Sequence, residues 1–325
     1  MASNNLNLCG VLSETKRIIN AHSRHFLALS VLFLLPLSFS LIVYPFLSLS
    51  STTLSHFHDS LFFNTTPPPI HTPDLPLLPI LYGLFVFLFS LCAAASITHS
   101  TFHGFYGRPV KFTSSIKSVL LSFFPLAGTL IITQLIEALL VFVFGGFTAL
   151  VYNGFALLGF RIEYGNTYFT TFVILIAALT ICLLIYLHVE WYLSSVIVVV
   201  ESNWGLSALR RSSYLLKGMK GVAFSMIILF GVLTGFLGNL CANLMPDSSE
   251  FNQGWVSSAF VFQTVVYTGF MTILMLYNVA ANAVLYMYCK ALRGELAFEI
   301  AEEFESEYIR LPFDDGKVPH VVYVV

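Results

Sequence analysis

The stretch "VIVVVESNWGLSALRRSSYLLKGMKG", residues 196–221, passes within a few residues from a continuous apolar run to a cluster of cations. Apolar runs of this kind suit a helix in lipid, whereas Lys and Arg suit the cytosolic headgroup layer. Projected at about 100° per residue, Arg210, Arg211 and Lys217 fall on one helical face and several leucines on the other. The stretch therefore predicts that a membrane-spanning helix is followed by a short amphipathic helix in the cytosolic headgroup layer.

The composition extends this interpretation to the whole chain. Of 325 residues, 57% are hydrophobic and only 10% are charged, and the mean hydropathy is +0.82. An ordinary soluble domain has about 25% charged residues. So few charges cannot cover a water-facing surface, so the composition excludes a soluble globular protein.

Six apolar runs are long enough to cross a bilayer as helices, since about 20 apolar residues suffice. The runs are residues 25–49, 77–98, 118–150, 169–200, 221–245 and 258–289. They lack the alternation of apolar and polar residues that is typical of strands in a transmembrane β-barrel. The sequence therefore predicts an all-α polytopic membrane protein, with a bundle of six transmembrane helices at 25–289. A cytosolic amphipathic arm at 1–24 precedes the bundle, and a short acidic cytosolic tail at 290–325 follows it.

The cations indicate the orientation of the bundle. Fourteen of the fifteen Lys and Arg residues lie in the N-terminal arm, the second and fourth connections and the tail; Arg161 is the exception. Because cytosolic loops are enriched in Lys and Arg, both termini are predicted to be cytosolic. We expect a multi-pass protein of the endoplasmic reticulum, another endomembrane or the plasma membrane.

Three of the runs exceed 30 residues, which is too long for a straight crossing. In the third, Pro125 and the pair Gly145 and Gly146 offer breaks. The fourth passes through the polar stretch "LHVEWYLSS" at 187–195, where we expect a bend or an extension beyond the membrane.

Two further stretches resemble the amphipathic unit of the fourth connection. "SETKRIINAHSRHF" at 13–26 and "FTSSIKSVLL" at 112–121 also begin with Ser or Thr and lead into an apolar run. We interpret all three as cytosolic interfacial helices that introduce helical hairpins. In the amphipathic unit of the fourth connection, Asn203 is placed to cap the start of the helix, and Gly218 is placed to end it.

Polar residues inside the apolar runs are candidates for an intramembrane site. Glu137 is the one carboxylate well inside a run, and Gln134 precedes it by one turn. Asn278 and Asn282 share a helical face in the sixth run. These residues could form a site for protons, cations or a solute, or they could serve only as hydrogen-bonding structural residues between helices.

Other chemical signals are weak. His99 and His103 have an HxxxH spacing, but no further His-rich motif accompanies it on the cytosolic side, so we expect no metal site. Phosphate-binding glycine loops, nucleophile elbows and HExxH motifs are missing from the sequence, which predicts no enzyme and no cofactor. Asn64 begins an N-glycosylation sequon, directly followed by Pro67.

The cations of the fourth connection have two interpretations. They could bind anionic lipid headgroups, or they could only set the topology of the chain. These residues are Arg210, Arg211, Lys217 and Lys220. We expect the bilayer as a partner, and a cytosolic protein could also bind the tail. Direct binding of nucleic acid is not expected, because the tail is acidic and has no RNA-binding module.

The order of an apolar run, an acid and then "SALRRSSYLLKG" resembles a plant family of uncharacterised six-span proteins, sometimes labelled as binding a poly(A)-binding protein. The likeness extends to "GRPVKFTSS" and to "LPFDDGKVP" in the tail. The chain is also similar to the membrane domain found beside bacterial glycerophosphodiester phosphodiesterases. The matching positions there are Glu201, Ala208, Ser212, Lys217 and Gly218. This second resemblance implies a fold and a membrane location, and no catalytic residues.

Together these features favour a multi-pass membrane protein without a catalytic site, which organises the membrane or contacts lipid or a partner through its amphipathic helices. The alternative is a transporter or channel for a small solute or lipid, with Glu137 in the pathway.

Overall fold

The computed structural model describes residues 7–44, 77–108, 112–157, 167–244 and 258–308. Within these ranges the regular structure is helical. The helices are α1 (Leu8–Ala21), α2 (Ser23–Tyr44), α3 (Leu77–Phe105), α4 (Phe112–Leu157), α5 (Thr167–Glu190), α6 (Ser194–Glu201), α7 (Leu206–Leu216), α8 (Lys220–Leu244), α9 (Ser258–Leu292) and α10 (Glu295–Tyr308).

Six helical segments of the described chain are long and apolar enough to cross a membrane. They are α2, α3, α4, α5 together with α6, α8 and α9. The all-helical class and the number of spans predicted from the sequence are therefore confirmed, and the chain has the features of a membrane protein.

The fourth span bends where the polar stretch predicted it. Helix α5 ends at Glu190, three residues form a turn, and α6 begins at Ser194. The Ser212 hydroxyl donates to the Glu190 carbonyl at 2.7 Å and accepts from the Leu193 amide at 3.2 Å. A side chain of α7 thus satisfies two backbone groups at the turn, which stabilises the bend.

The third span does not break, contrary to the prediction. Helix α4 runs without interruption through Pro125, Gly145 and Gly146. It also includes residues 112–121, which were expected to form a separate amphipathic helix. Membrane helices tolerate proline and glycine when the neighbouring turns keep their hydrogen bonds. At Pro125, the Thr129 hydroxyl adds a donor to the proline carbonyl at 2.8 Å.

The α7 helix was predicted correctly, but its environment differs from the prediction. Its buried residues are Ala208, Leu209, Ser212, Leu215 and Leu216, whereas Leu206 is 53% exposed. The apolar face therefore packs against the protein and is not available to lipid.

The ends of α7 differ in how well they were predicted. The residue before the helix is Gly205, with φ +67°, and the Asn203 side chain instead donates to Glu201 at 3.4 Å. The cap predicted at Asn203 is wrong. Gly218 has φ +104°, as expected for a glycine that ends a helix.

Helix α1 also packs on the protein. Its residues Val11, Thr15, Ile18 and Ile19 are buried, and it contacts α9 and α3. A Cβ atom on Gly104 of α3 would lie 2.9 Å from Ile18 Cγ2, so the glycine allows the close approach of the two helices. The apolar side of this arm is consequently covered by other helices.

Packing is very uneven along the spans. Five of the eight residues of α6 are buried, and the segment Ala280–Cys289 of α9 is mostly at or below 2% exposure. By contrast, residues 130–157 of α4 and 167–188 of α5 include no buried side chain among those described. We call this second pair of segments the outer hairpin. The packed end is the region formed by α1, α6, α7, α10 and the adjoining turns of the spans.

Candidate functional site at the packed end

A charged cluster joins four helices at the packed end, centred on Arg211 of α7. Its Nε donates to Glu201 Oε2 at 3.1 Å, and its Nη1 donates to Glu295 Oε1 at 3.1 Å. The Tyr286 hydroxyl of α9 donates to Glu201 Oε1 at 2.8 Å. Hydrogen bonds to Glu295 and to Glu201 raise the pKa of Arg211 above its usual value. The cluster therefore fixes α6, α7, α9 and α10 relative to one another.

Two further ion pairs flank this cluster. Lys220, at the start of α8, pairs with the buried carboxylate of Glu190 at the end of α5. Lys290 of α9 donates to Glu299 of α10 at 2.7 Å. The ion-paired side chains at this end thus serve largely to hold neighbouring helices together.

The four cations predicted to contact lipid fall into two classes. Arg211 and Lys220 are engaged by carboxylates, as described above. Arg210 and Lys217 are exposed, and the described part of the chain offers neither of them an acidic partner within ion-pair distance. As far as the described residues show, this second pair is the one of the two that can bind an external anion.

Tyr214, one turn after Arg210, is held in place by Arg293, which lies in the turn between α9 and α10. The Arg293 guanidinium lies 3.8 Å from the centroid of the Tyr214 ring. It also donates to the backbone carbonyls of Tyr214 and Lys217, the second at 3.5 Å. The C-terminal end of α7 is therefore anchored on the turn after the last span, close to Arg210 on the helix and Lys217 directly after it.

The predicted intramembrane residues form two separate pairs. Gln134 and Glu137 lie on the outer hairpin, where the Gln134 amide donates to Glu137 Oε2 at 3.5 Å and neither side chain is buried. The Asn282 amide donates to the Tyr192 carbonyl at 3.0 Å, and the Tyr192 hydroxyl donates to Asn278 Oδ1 at 3.3 Å. The asparagines thus fasten α9 to the bend between α5 and α6. No described hydrogen bond connects them with Glu137, and a transport role for any of these residues stays a prediction.

A Ser–His contact, which the sequence did not reveal, ties three spans together. His25 Nε2 of α2 lies 3.0 Å from the Ser100 hydroxyl of α3, which lies 3.0 Å from the Ser115 hydroxyl of α4. Nearby, the rings of His99 and His103 are 4.4 Å apart. Among the described residues, no group of three or more His, Cys, Asp or Glu side chains could hold a metal ion.

The sequence offered partial signals for the charged cluster. Glu201 ends the apolar run "VIVVVE", and only its position in a resemblance marked it. Tyr286 is one aromatic residue among many in the last span, and Glu295 one of several acids in the tail. Nothing local indicates that these residues meet. Asn64 and the tail beyond residue 308 lie outside the described residues.

The chain belongs to the family described as a domain of unknown function (DUF8558), whose model matches residues 3–311. No match was found among curated proteins or among solved structures. The family is uncharacterised, as the sequence resemblance implied. These comparisons name no relative that supports the plant or the bacterial resemblance, so both resemblances stay expectations.

Proposed function

We propose that this protein is a non-catalytic membrane protein that contacts anionic phospholipids of the cytosolic leaflet through Arg210 and Lys217. Arg210 lies on α7 and Lys217 directly follows it, and α7 packs on the other helices of the packed end. The role is to organise lipid around the bundle.

The observation that supports this proposal most strongly is the unequal use of four neighbouring cations. Arg211 and Lys220 are neutralised by Glu201, Glu295 and Glu190. A cation that is already paired with a carboxylate of the protein has less attraction left for an external anion. Two of the four stay exposed without an acidic partner in the described chain.

The location of these cations also supports lipid contact. The packed end holds most of the Lys and Arg residues of the chain, and such residues mark the cytosolic side of membrane proteins. Anionic lipids are concentrated in the cytosolic leaflet, where each Lys or Arg near the surface contributes about 1 kcal/mol of attraction. A fixed pair of exposed cations is therefore suited to recruit them.

The test is the lipid composition that the purified chain retains. The full-length protein is placed in nanodiscs containing phosphatidylcholine and phosphatidylserine, and bound lipids are counted by native mass spectrometry. We expect phosphatidylserine to be enriched around the parent protein and the enrichment to fall with added salt. The double variant Arg210→Gln, Lys217→Gln is expected to lose most of it.

The matched control is the double variant Arg24→Gln, Lys117→Gln. Both residues are exposed, and they are predicted to face the same side of the membrane. The control removes the same charge and is expected to keep the enrichment. Equal loss in both double variants would show a general charge effect and would contradict a role for the α7 pair.

A further inference from the structure

Beside the bend between α5 and α6 lies an open pocket of about 310 Å³. Its wall is formed by Trp191 of the bend and by one side of α7. The lining side chains used in the argument are Trp191, Leu206, Arg210, Ser213, Tyr214 and Lys217. The pocket thus combines aromatic and hydroxyl groups with Arg210 and Lys217, the two cations that have no acidic partner among the described residues.

The charge of the pocket suits a phosphate group. Arg210 and Lys217 both line it, and the carboxylate of Glu190 nearby is engaged by Lys220. A guanidinium can donate two parallel hydrogen bonds to phosphate oxygens, and an ammonium adds a point charge. The Tyr214 hydroxyl is a further donor in the lining, whereas the Ser213 hydroxyl is hydrogen-bonded to Glu190.

The surroundings of the pocket favour a lipid over a soluble phosphate. Trp191 and the exposed Leu206 give the pocket an apolar rim, as expected for a site at the membrane interface. Helix α5, which leads to Trp191, carries exposed apolar side chains along its length, including Ile185 at 46% and Tyr186 at 55%. A phosphate held in the pocket would thus have an apolar helix beside it on which acyl chains can lie.

We infer that this pocket binds the phosphate headgroup of a single anionic phospholipid, whose acyl chains lie along α5. The inference rests on the proposed function, because it names the place and the ligand class for the same cations. It differs in predicting one saturable site of defined shape.

The probe is dioctanoyl phosphatidic acid, which has a terminal phosphate and two short acyl chains. It is titrated against the full-length protein in uncharged detergent, and binding is followed by native mass spectrometry. We expect one molecule to bind per chain in a saturable manner. Inorganic phosphate at the same concentrations is expected to bind at least about tenfold more weakly, since it lacks the apolar contacts.

Two kinds of variant distinguish the effect of the pocket's shape on binding from the effect of its positive charge. Leu206→Trp adds bulk at the rim without changing the charge, and it is expected to weaken binding of the probe by about tenfold or more. Leu121→Trp, at a site on α4 that is 70% exposed, is its matched control and should bind like the parent. Arg210→Gln with Lys217→Gln should also weaken binding.

Each outcome has a defined meaning. If the variant Arg210→Gln, Lys217→Gln binds the probe weakly and Leu206→Trp binds it like the parent, the pocket is not the binding site, whereas the proposed lipid contact stands. If neither variant loses it, both proposals are wrong. Equal affinity for inorganic phosphate would overturn the lipid as occupant. Because Leu206 and Leu121 are both exposed, a thermal unfolding curve like that of the parent verifies that each variant is folded.

Discussion

The packed end and the outer hairpin are built from similarly apolar sequence, yet they use it differently. At the packed end, most of α6 and of the last turns of α9 is buried inside the protein, and Glu201 of α6 binds both Tyr286 of α9 and Arg211 of α7. In the outer hairpin, side chains such as Phe142 (76% exposed) and Leu135 (68% exposed) face outward, and the described side chains include none that is buried. Hydrocarbon is as apolar as leucine, so either arrangement satisfies an apolar side chain. The comparison indicates that the specificity of folding depends on side-chain packing and on polar contacts between helices, and much less on hydropathy.

The largest contrast is expected from removing the same side chain in each region. Leu285→Ala, at a position with 0% exposure, creates a cavity and is expected to cost about 2 to 5 kcal/mol in the free energy of unfolding. Leu139→Ala, at 60% exposure on the outer hairpin, leaves no cavity in the protein and should cost about 0.5 kcal/mol or less. Denaturant titration in detergent micelles measures both, and similar losses would show that the hairpin is packed in solution.

The next contrast compares two carboxylates. Glu201→Ala leaves Arg211 and Tyr286 without their shared acceptor and is expected to cost about 2 to 3 kcal/mol, because the pair is mostly shielded from solvent. Glu137→Ala removes a side chain whose described hydrogen-bond partner is Gln134, at 3.5 Å. It is expected to leave stability unchanged or slightly higher.

The same unfolding experiment checks this pair of variants. A loss of stability in Glu137→Ala as large as that in Glu201→Ala would mean that Glu137 has a partner in the assembled protein. Such a result would support the predicted intramembrane site at Glu137.

The smallest contrast concerns the bend of the fourth span. Ser212→Ala removes the hydroxyl that donates to the Glu190 carbonyl and accepts from the Leu193 amide. The substitution is expected to cost about 1 to 2 kcal/mol in the free energy of unfolding. Ser207→Ala, on the exposed side of the same helix, is its control and should cost about 0.5 kcal/mol or less. Hydrogen exchange of the Leu193 amide provides a second readout. Unchanged exchange in Ser212→Ala would contradict the role assigned to this hydroxyl.

The number of spans and the bend were predictable because each depends on local sequence. Run length decides whether a helix can cross a bilayer, and the polar stretch around Glu190 marks an interruption of the fourth run. The burial of α6 was not predictable, since a run such as "VIVVV" suits lipid and protein core equally. For the same reason, the apolar face of α7 was assigned to the headgroup layer although it packs on the bundle.

The charged cluster could not be predicted either, for a different reason. Glu201 precedes Tyr286 by 85 residues, and it meets Tyr286 and the Arg211–Glu295 pair through the packing of α6, α7, α9 and α10. The sequence singled out Glu137 because it is isolated in an apolar run, yet Glu190 and Glu201, which form ion pairs in the described structure, lie at the ends of helices. The same packing divides the four cations of the fourth connection into paired and exposed residues, which no periodicity reveals.

The lipid proposals depend on the packed end facing the cytosol, and thiol labelling in sealed microsomes tests this most directly. Cysteine is introduced by Ser207→Cys on α7 or Thr167→Cys at the start of α5, both exposed positions, in a chain with Cys9, Cys92 and Cys182 changed to alanine. The cytosolic face of such microsomes is outside. An impermeant maleimide should therefore label Ser207→Cys without detergent and Thr167→Cys only after detergent is added. The reverse order would place α7 in the lumen and would contradict both lipid proposals.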